Sequence, residues 1–154
     1  MRMGIKEKYE ALQKRYELPS YDALNQFFDL DTVEHDVHPL REVRRKIVEK
    51  LQDIAKLLED TLHPESTLTG IHEARAFTEH EKEAIYTVYG RVMVLERKGW
   101  LPYLDSTDES EALFITEVMK EGDELKPQLL SILKKLSASW NDDQEFKEDL
   151  RYLG

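Results

Sequence analysis

Two adjacent His-Glu pairs stand out in the segment GIHEARAFTEHEKEA, which covers residues 70–84. Imidazole and carboxylate groups bind metal ions and carry protons in catalysis, so His72-Glu73 and His80-Glu81 are the first candidates for chemistry. A zinc protease needs two histidines four residues apart on one helical face, whereas these two are eight apart. The spacing therefore does not predict a zinc protease, and surface or helix-capping roles are expected for both pairs.

A carboxylate-rich site is the other metal chemistry open to a chain without cysteine. Helical bundles build such sites from Glu-x-x-His motifs that project inward from two helices. The sequence contains no Glu-x-x-His motif. The nearest pattern is a single Asp-x-x-His formed by Asp60 and His63. His35 and His38 are three residues apart, but they lie in a polar stretch that is predicted to be a loop. Because a Gly-rich phosphate loop is also missing, we predict no metal ligand and no cofactor. A metal-binding helical bundle is kept as one alternative function.

Arg75 precedes His80 by five residues and points to a different chemistry. An arginine can stabilise a negatively charged phosphorane, and a histidine can act as general acid or base. This Arg-x-x-x-x-His spacing resembles the short active-site motif of HEPN-domain ribonucleases, which are small helical bundles that act as dimers. The resemblance implies metal-independent cleavage of RNA through its 2′-hydroxyl, with Arg75 and His80 as catalytic residues. It covers six residues, and Ala76 stands where that family commonly has a polar residue.

Three arginines, Arg41, Arg44 and Arg45, lie at the start of the longest predicted helix. The amino end of a helix carries partial positive charge, so this cluster favours an anion, a phosphate or an acidic partner. The alternatives are a solvated flank, or salt bridges to the acidic last third of the chain or of a second subunit. Arg41, Arg44 and Arg45 are thus the predicted binding residues.

The elements that position these residues are predicted to be helices. From Leu40 to Leu62 the apolar residues follow one another by three or four positions in an eleven-residue repeat, which is typical of a nearly straight helix. Pro39 suits the start of this helix and His63-Pro64 its end. A Thr78–Glu81 capping box starts another helix, which we expect to end at Gly99.

Shorter helices are predicted on either side of these two. One covers residues 4–17 and stops at Pro19, and the next is capped by Ser20. Residues 63–77 and the sequence GWLPYLDSTD are predicted connectors, the second with Trp100 and Tyr103 folded over the bundle or meeting a partner. Two further helices are expected after it, separated by a break near Gly122. A short acidic helix is expected over residues 142–153.

Composition limits the classes of protein to consider. The 154 residues carry a net charge of −10, and residues 105–154 contain 13 Asp and Glu against 6 Lys and Arg. Such a surface repels polyanions, so nucleic-acid binding is disfavoured. No apolar segment is long enough for a signal peptide or a membrane span, which predicts a cytoplasmic protein without membrane contact. Abundant Glu and Lys with few amides are typical of heat-adapted proteins.

These observations predict an all-α protein, a single-domain bundle of five to seven helices over residues 1–154. Since catalytic signatures are scarce, the function expected is non-enzymatic and depends on self-association or on another protein. The apolar stripe of the long helix is wide, which favours a homodimer that covers it. The ribonuclease using Arg75 and His80 is the second hypothesis, and the metal-binding bundle is the third.

Overall fold

The computed structural model describes residues 4–33 and 37–141, and every regular element in these ranges is helical. The described residues form seven α-helices and one short 3-10 turn at Leu30–Thr32. The helices are α1 (Ile5–Tyr16), α2 (Tyr21–Phe28), α3 (Pro39–Leu62), α4 (Leu68–Ala74), α5 (Glu79–Lys98), α6 (Trp100–Leu104) and α7 (Asp108–Ser139). The predicted all-α class and number of helices are confirmed, whereas the helix predicted over residues 142–153 lies outside the described residues.

The chain divides into two compact units. The first unit contains Met1–Asp53 and Val94–Asp123, and the second contains Ile54–Met93 and Glu124–Gly154. Each of α3, α5 and α7 contributes residues to both units. The single domain expected from the sequence stays a prediction. None of the helices within 4–33 and 37–141 has the length and apolar character needed to cross a membrane.

The core of the first unit is built on aromatic and aliphatic residues of α1, α2 and α3. The rings of Tyr9 and Tyr21 meet edge to face, with their centroids 5.7 Å apart. Burial raises the pKa of the Tyr9 hydroxyl, which stays protonated and donates to the Pro19 carbonyl oxygen at 2.6 Å. Other buried members include Leu24, Phe28, Leu40, Val43, Ile47, Ile115 and Val118.

The second unit has a smaller aliphatic core. It is formed where α5 and α7 each turn one apolar face inward. Its buried side chains include Leu58, Phe77, Ile85, Val88, Val92, Leu125, Ile132 and Leu136. On its surface, Arg91 of α5 donates to Glu124 of α7 at 2.9 Å.

Local sequence signals place several helix ends correctly. The Ser20 hydroxyl accepts from the Ala23 amide at 3.2 Å, and α3 begins at Pro39. The Thr78 hydroxyl accepts from the Glu81 amide at 3.1 Å, and the Glu81 carboxylate accepts from the Thr78 amide at 3.0 Å. The predicted capping box is therefore present, because both partners lie within one turn of chain.

The break expected near Gly122 is wrong, since α7 runs without interruption from Asp108 to Ser139. Gly122 is buried, and a methyl group added there would lie 3.8 Å from the ring of Phe27. Pro127 also lies inside the helix, where it removes one backbone donor. Buried neighbours on the same helix, Leu125 and Ile132, stabilise the helical course that glycine and proline disfavour.

Both segments predicted as connectors contain a helix. α4 occupies residues 68–74, with the Thr67 hydroxyl accepting from the Gly70 amide at its start. α6 follows Gly99 directly and buries only Pro102 among its five residues. The other four side chains of α6 are exposed, and the expectation that the aromatic residues of this segment fold over the bundle or meet a partner stays a prediction.

Gly99 is required for close packing and not for a left-handed turn. Its backbone is right-handed, with φ −64°. A methyl group at this position would lie 2.6 Å from Val48 Cγ2 and 3.2 Å from Phe114 Cζ. The backbone at Gly99, directly after α5, thus lies closer to α3 than a side chain at position 99 would allow.

Two glycine-to-alanine substitutions should have opposite effects on stability. Gly90 lies in the middle of α5, where an added methyl group would meet no atom within 4 Å, so Gly90→Ala should raise the free energy of unfolding by about 0.5–1 kcal/mol. Gly99→Ala should lower it by about 1–3 kcal/mol, because a stiff valine side chain blocks the added carbon. Urea denaturation followed by circular dichroism measures both, and equal effects would contradict the close approach at Gly99.

Candidate functional site

Arg75 and His80, the candidate catalytic residues, are both exposed. Arg75 is the residue that ends α4, and His80 is the second residue of α5. The two lie in the second unit. Their side chains are accessible to a substrate, and the ribonuclease hypothesis stays a prediction.

Glu81, next to His80, is held by Lys135 in addition to its capping role. It forms a salt bridge with Lys135 of α7, whose ammonium also lies 5.4 Å from the centroid of the buried Phe77 ring. The Lys135 ammonium and the Thr78 amide lower the pKa of the Glu81 carboxyl from 4.5 to about 2. Glu81 therefore remains ionised and fixed, which makes it a structural residue and not a proton carrier near neutral pH.

His72 is almost fully buried and has a structural role. Its Nε2 donates to the Ser139 carbonyl oxygen at 3.0 Å, because a carbonyl can only accept. The imidazole lies against the Trp140 ring, with the centroids 3.9 Å apart. Trp140 Nε1 donates to Glu73 at 3.3 Å. The pair His72-Glu73 thus fastens α4 to the end of α7, and the structure does not join it to the exposed His80.

Carboxylates and histidines do not assemble a metal site in the part of the chain that the structure describes. His38 is exposed beside the first residue of α3, and His35 lies outside the described residues. His63 is exposed directly after α3. The metal-binding alternative gains no support from these positions.

Of the three arginines of the predicted anion site, the structure brings Arg44 and Arg45 to the wall of one cavity, which Arg41 does not line. Arg41 and Arg45 are exposed, and Arg45 donates to Glu42 at 3.3 Å. Arg44 is buried in the first unit, where its Nε and Nη2 donate to the two carboxylate oxygens of Glu111 at 3.0 and 3.1 Å. Arg44 therefore pairs within the chain, with a residue of the acidic last third.

The Arg44–Glu111 pair has further support from α6 and the residues after it. The Ser106 hydroxyl donates to Glu111 at 2.9 Å, and the Arg44 guanidinium carbon lies 5.7 Å from the centroid of the Tyr103 ring. Charges buried in this way are stable only when their hydrogen bonds are satisfied. Ser106 and Glu111 were not predicted as site residues, and the only sequence signal near them is a Thr107–Ser110 helix cap.

An open cavity of about 250 Å³ lies beside the pair in the first unit. The rings of Trp100 and Tyr103 form one wall, with their centroids 5.3 Å apart and their planes at 81°. The remaining walls come from α3 and from Gly99, and they include the buried Arg44. The cavity therefore combines aromatic surface with a buried cation, which is the arrangement most suited to binding a ligand.

A larger groove of about 390 Å³ lies in the second unit. It is lined mainly by apolar side chains such as Ile85, Val88 and Ile132, with the Glu81–Lys135 pair among them. Both charged groups of this groove already have each other as partners. The first cavity is therefore the stronger candidate site.

No family model, curated protein or solved structure matches this chain.

The buried pair should show strong coupling between its two members. Glu111→Leu alone should lower the free energy of unfolding by about 3–5 kcal/mol, because Arg44 is left buried and uncompensated. The double variant Arg44→Met/Glu111→Leu should recover most of that loss. The exposed Arg45→Met is the matched control and should cost about 0–1 kcal/mol. Additive single effects in urea denaturation would contradict the coupling.

Glu81→Gln should destabilise the protein in a pH-dependent way. The folded-state pKa of Glu81 lies below its ordinary value of 4.5, so its contribution is complete above that pH and is lost as the pH falls towards 2. The difference in thermal midpoint between wild type and Glu81→Gln should thus be present at neutral pH and shrink through this window. A difference that is constant with pH would show that the carboxylate charge is not responsible.

Proposed function

We propose that the protein is non-enzymatic and acts through self-association, with the apolar side chains of α6 at the contact surface. The observation that supports this most directly is the exposure of α6. Trp100 is 47% exposed, Leu101 69%, Tyr103 60% and Leu104 79%, although all four are large and apolar. Single exposed apolar residues are ordinary on protein surfaces, whereas a contiguous set is typical of an interaction site.

The charges around α6 favour a second copy of the chain as the partner. Arg41 and Arg45 are exposed on the α3 side of the first unit, and Asp105, Asp108 and Glu109 are exposed at the start of α7. A two-fold axis places each patch against the opposite patch of the partner. An apolar centre with basic and acidic flanks is therefore complementary to itself, which offsets the repulsion expected from the overall charge of −10.

The basis for this proposal differs from the one that the sequence suggested. The wide apolar stripe of α3 was expected to need cover from a second subunit. Its principal residues Leu40, Val43, Ile47, Leu51 and Leu58 are already buried. The surface that lacks cover is α6, and the proposed dimer therefore uses a different element.

The ribonuclease hypothesis and the metal-binding hypothesis both have less support than self-association. The exposed Arg75 and His80 keep the ribonuclease hypothesis open to test. The described residues offer no cluster for the metal-binding hypothesis. A cytoplasmic location belongs to the proposal, in keeping with a chain that contains no cysteine.

Self-association can be tested by substituting the two most exposed leucines of α6. Wild type should elute as a dimer at micromolar concentration in size-exclusion chromatography with light scattering. Leu101→Asp/Leu104→Asp should be a monomer, because burial of four carboxylates in a two-fold interface is strongly unfavourable. Leu130→Asp is the matched control on α7 of the second unit and should remain a dimer. A wild-type monomer, or a dimer that survives the double substitution, would refute the proposal.

A further inference from the structure

Among the described residues, the hydrogen bonds of Arg44 leave one of its terminal nitrogens without an acceptor. Nε and Nη2 both donate to Glu111, and no hydrogen bond joins Nη1 to any described residue. The residue is only 4% exposed, so the two N–H groups of Nη1 have little access to water. Buried donors in proteins nearly always have partners, and an exception calls for an explanation.

The position of Arg44 in the cavity wall supplies that explanation. A guanidinium is planar, and its pairing through Nε and Nη2 directs Nη1 away from the carboxylate. Arg44 lines the cavity beside Trp100 and Tyr103, so an acceptor atom of a bound molecule can satisfy Nη1. The buried donor and the cavity are independent observations, and both indicate a binding site.

The walls of the cavity define the ligand further. Trp100 and Tyr103 offer two ring surfaces nearly at right angles, which suits a flat aromatic group that stacks on one ring and meets the edge of the other. Arg45 is a second guanidinium in the wall, with an exposed side chain. Glu49 is the one carboxylate in the wall, and Lys46 lies 3.7 Å from it. Each of these charged groups has a partner, Glu111 for Arg44 and Glu42 for Arg45, and the guanidinium N–H groups that remain favour a ligand that carries acceptor atoms.

We propose that this cavity binds a small aromatic carboxylate. The carboxylate accepts from Arg44 Nη1 and from Arg45, since hydrogen bonds between a guanidinium and a carboxylate are charge-assisted. The aromatic ring stacks on one of the two rings, Trp100 or Tyr103, and meets the edge of the other. The cavity shares Trp100 and Tyr103 with the proposed contact surface, whereas Leu101 and Leu104 do not line it. The two leucines can therefore be substituted to test the dimer without removing a group from the cavity wall.

Benzoate is the simplest probe, and the two tryptophans of the chain provide the signals. In proton–nitrogen correlation NMR of the labelled full chain, benzoate should shift the Trp100 indole signal to saturation with a Kd of about 1 mM or tighter. The Trp140 indole lies in the second unit and should not move. Benzamide has the same shape without the charge and should bind about tenfold more weakly, because it lacks the charge-assisted bonds.

Variants locate the binding and separate it from self-association. Tyr103→Ala and Arg45→Gln should each weaken benzoate binding by about fivefold to tenfold, since each removes one wall group and keeps the hydrogen bonds between Arg44 and Glu111. Leu104→Ala changes an exposed residue of the same helix outside the cavity and should bind like wild type. The dimer-breaking Leu101→Asp/Leu104→Asp variant should also bind benzoate.

Three results would overturn the proposal. They are the absence of a saturable Trp100 shift, equal binding of benzamide, and unchanged binding by Tyr103→Ala and Arg45→Gln. Loss of the dimer in the leucine variant with benzoate binding retained would support both proposals separately. A dimer that does not bind benzoate would refute the binding of an aromatic carboxylate and leave the self-association proposal standing.

Discussion

The buried ion pair between Arg44 and Glu111 is the interaction on which the organisation of the first unit depends. Moving two charges out of water is expensive, and the cost is recovered only when geometry and hydrogen bonding are favourable. Here the carboxylate accepts from two guanidinium nitrogens and from Ser106. The pair thereby fixes the start of α7 against α3, and it fixes the register of both helices, because neither charge tolerates another position.

The exposed character of α6 follows from its length and its place in the chain. In a helix of five residues the middle position is the one that shares its face with no other, because side chains three or four positions apart lie together. Pro102 takes that position. The remaining side chains divide into two flanks. Trp100 and Tyr103 close the cavity beside Arg44, while Leu101 and Leu104 face elsewhere. One short helix thus presents two apolar surfaces of different character.

The sequence predicted those parts of the fold that depend on near neighbours. The apolar repeat of α3, the Ser20 cap and the Thr78–Glu81 capping box were all correct, because their partners lie within a turn or a few turns of the same helix. The break predicted near Gly122 was wrong, because the packing of buried residues along α7 outweighed the low helix propensity of glycine and proline.

The candidate site could be predicted only in part. Arg44 was selected for its charge, but its partner Glu111 is separated from it by 67 residues, and no pattern along the chain links them. Trp100 and Tyr103 were noted as large residues, whereas the cavity they form depends on the approach at Gly99. The two His-Glu pairs looked equivalent in sequence, and burial alone separates the structural His72 from the exposed His80.

The contact between Gly99 and Val48 also constrains how the sequence can diverge. A side chain at position 99 has no room while a branched residue occupies position 48, since the two carbons would be 2.6 Å apart. A shorter residue at position 48 relieves this contact, so substitutions at positions 48 and 99 should have non-additive effects on the free energy of unfolding. The aromatic wall of Trp100 and Tyr103 begins directly after Gly99 and therefore depends on the same contact.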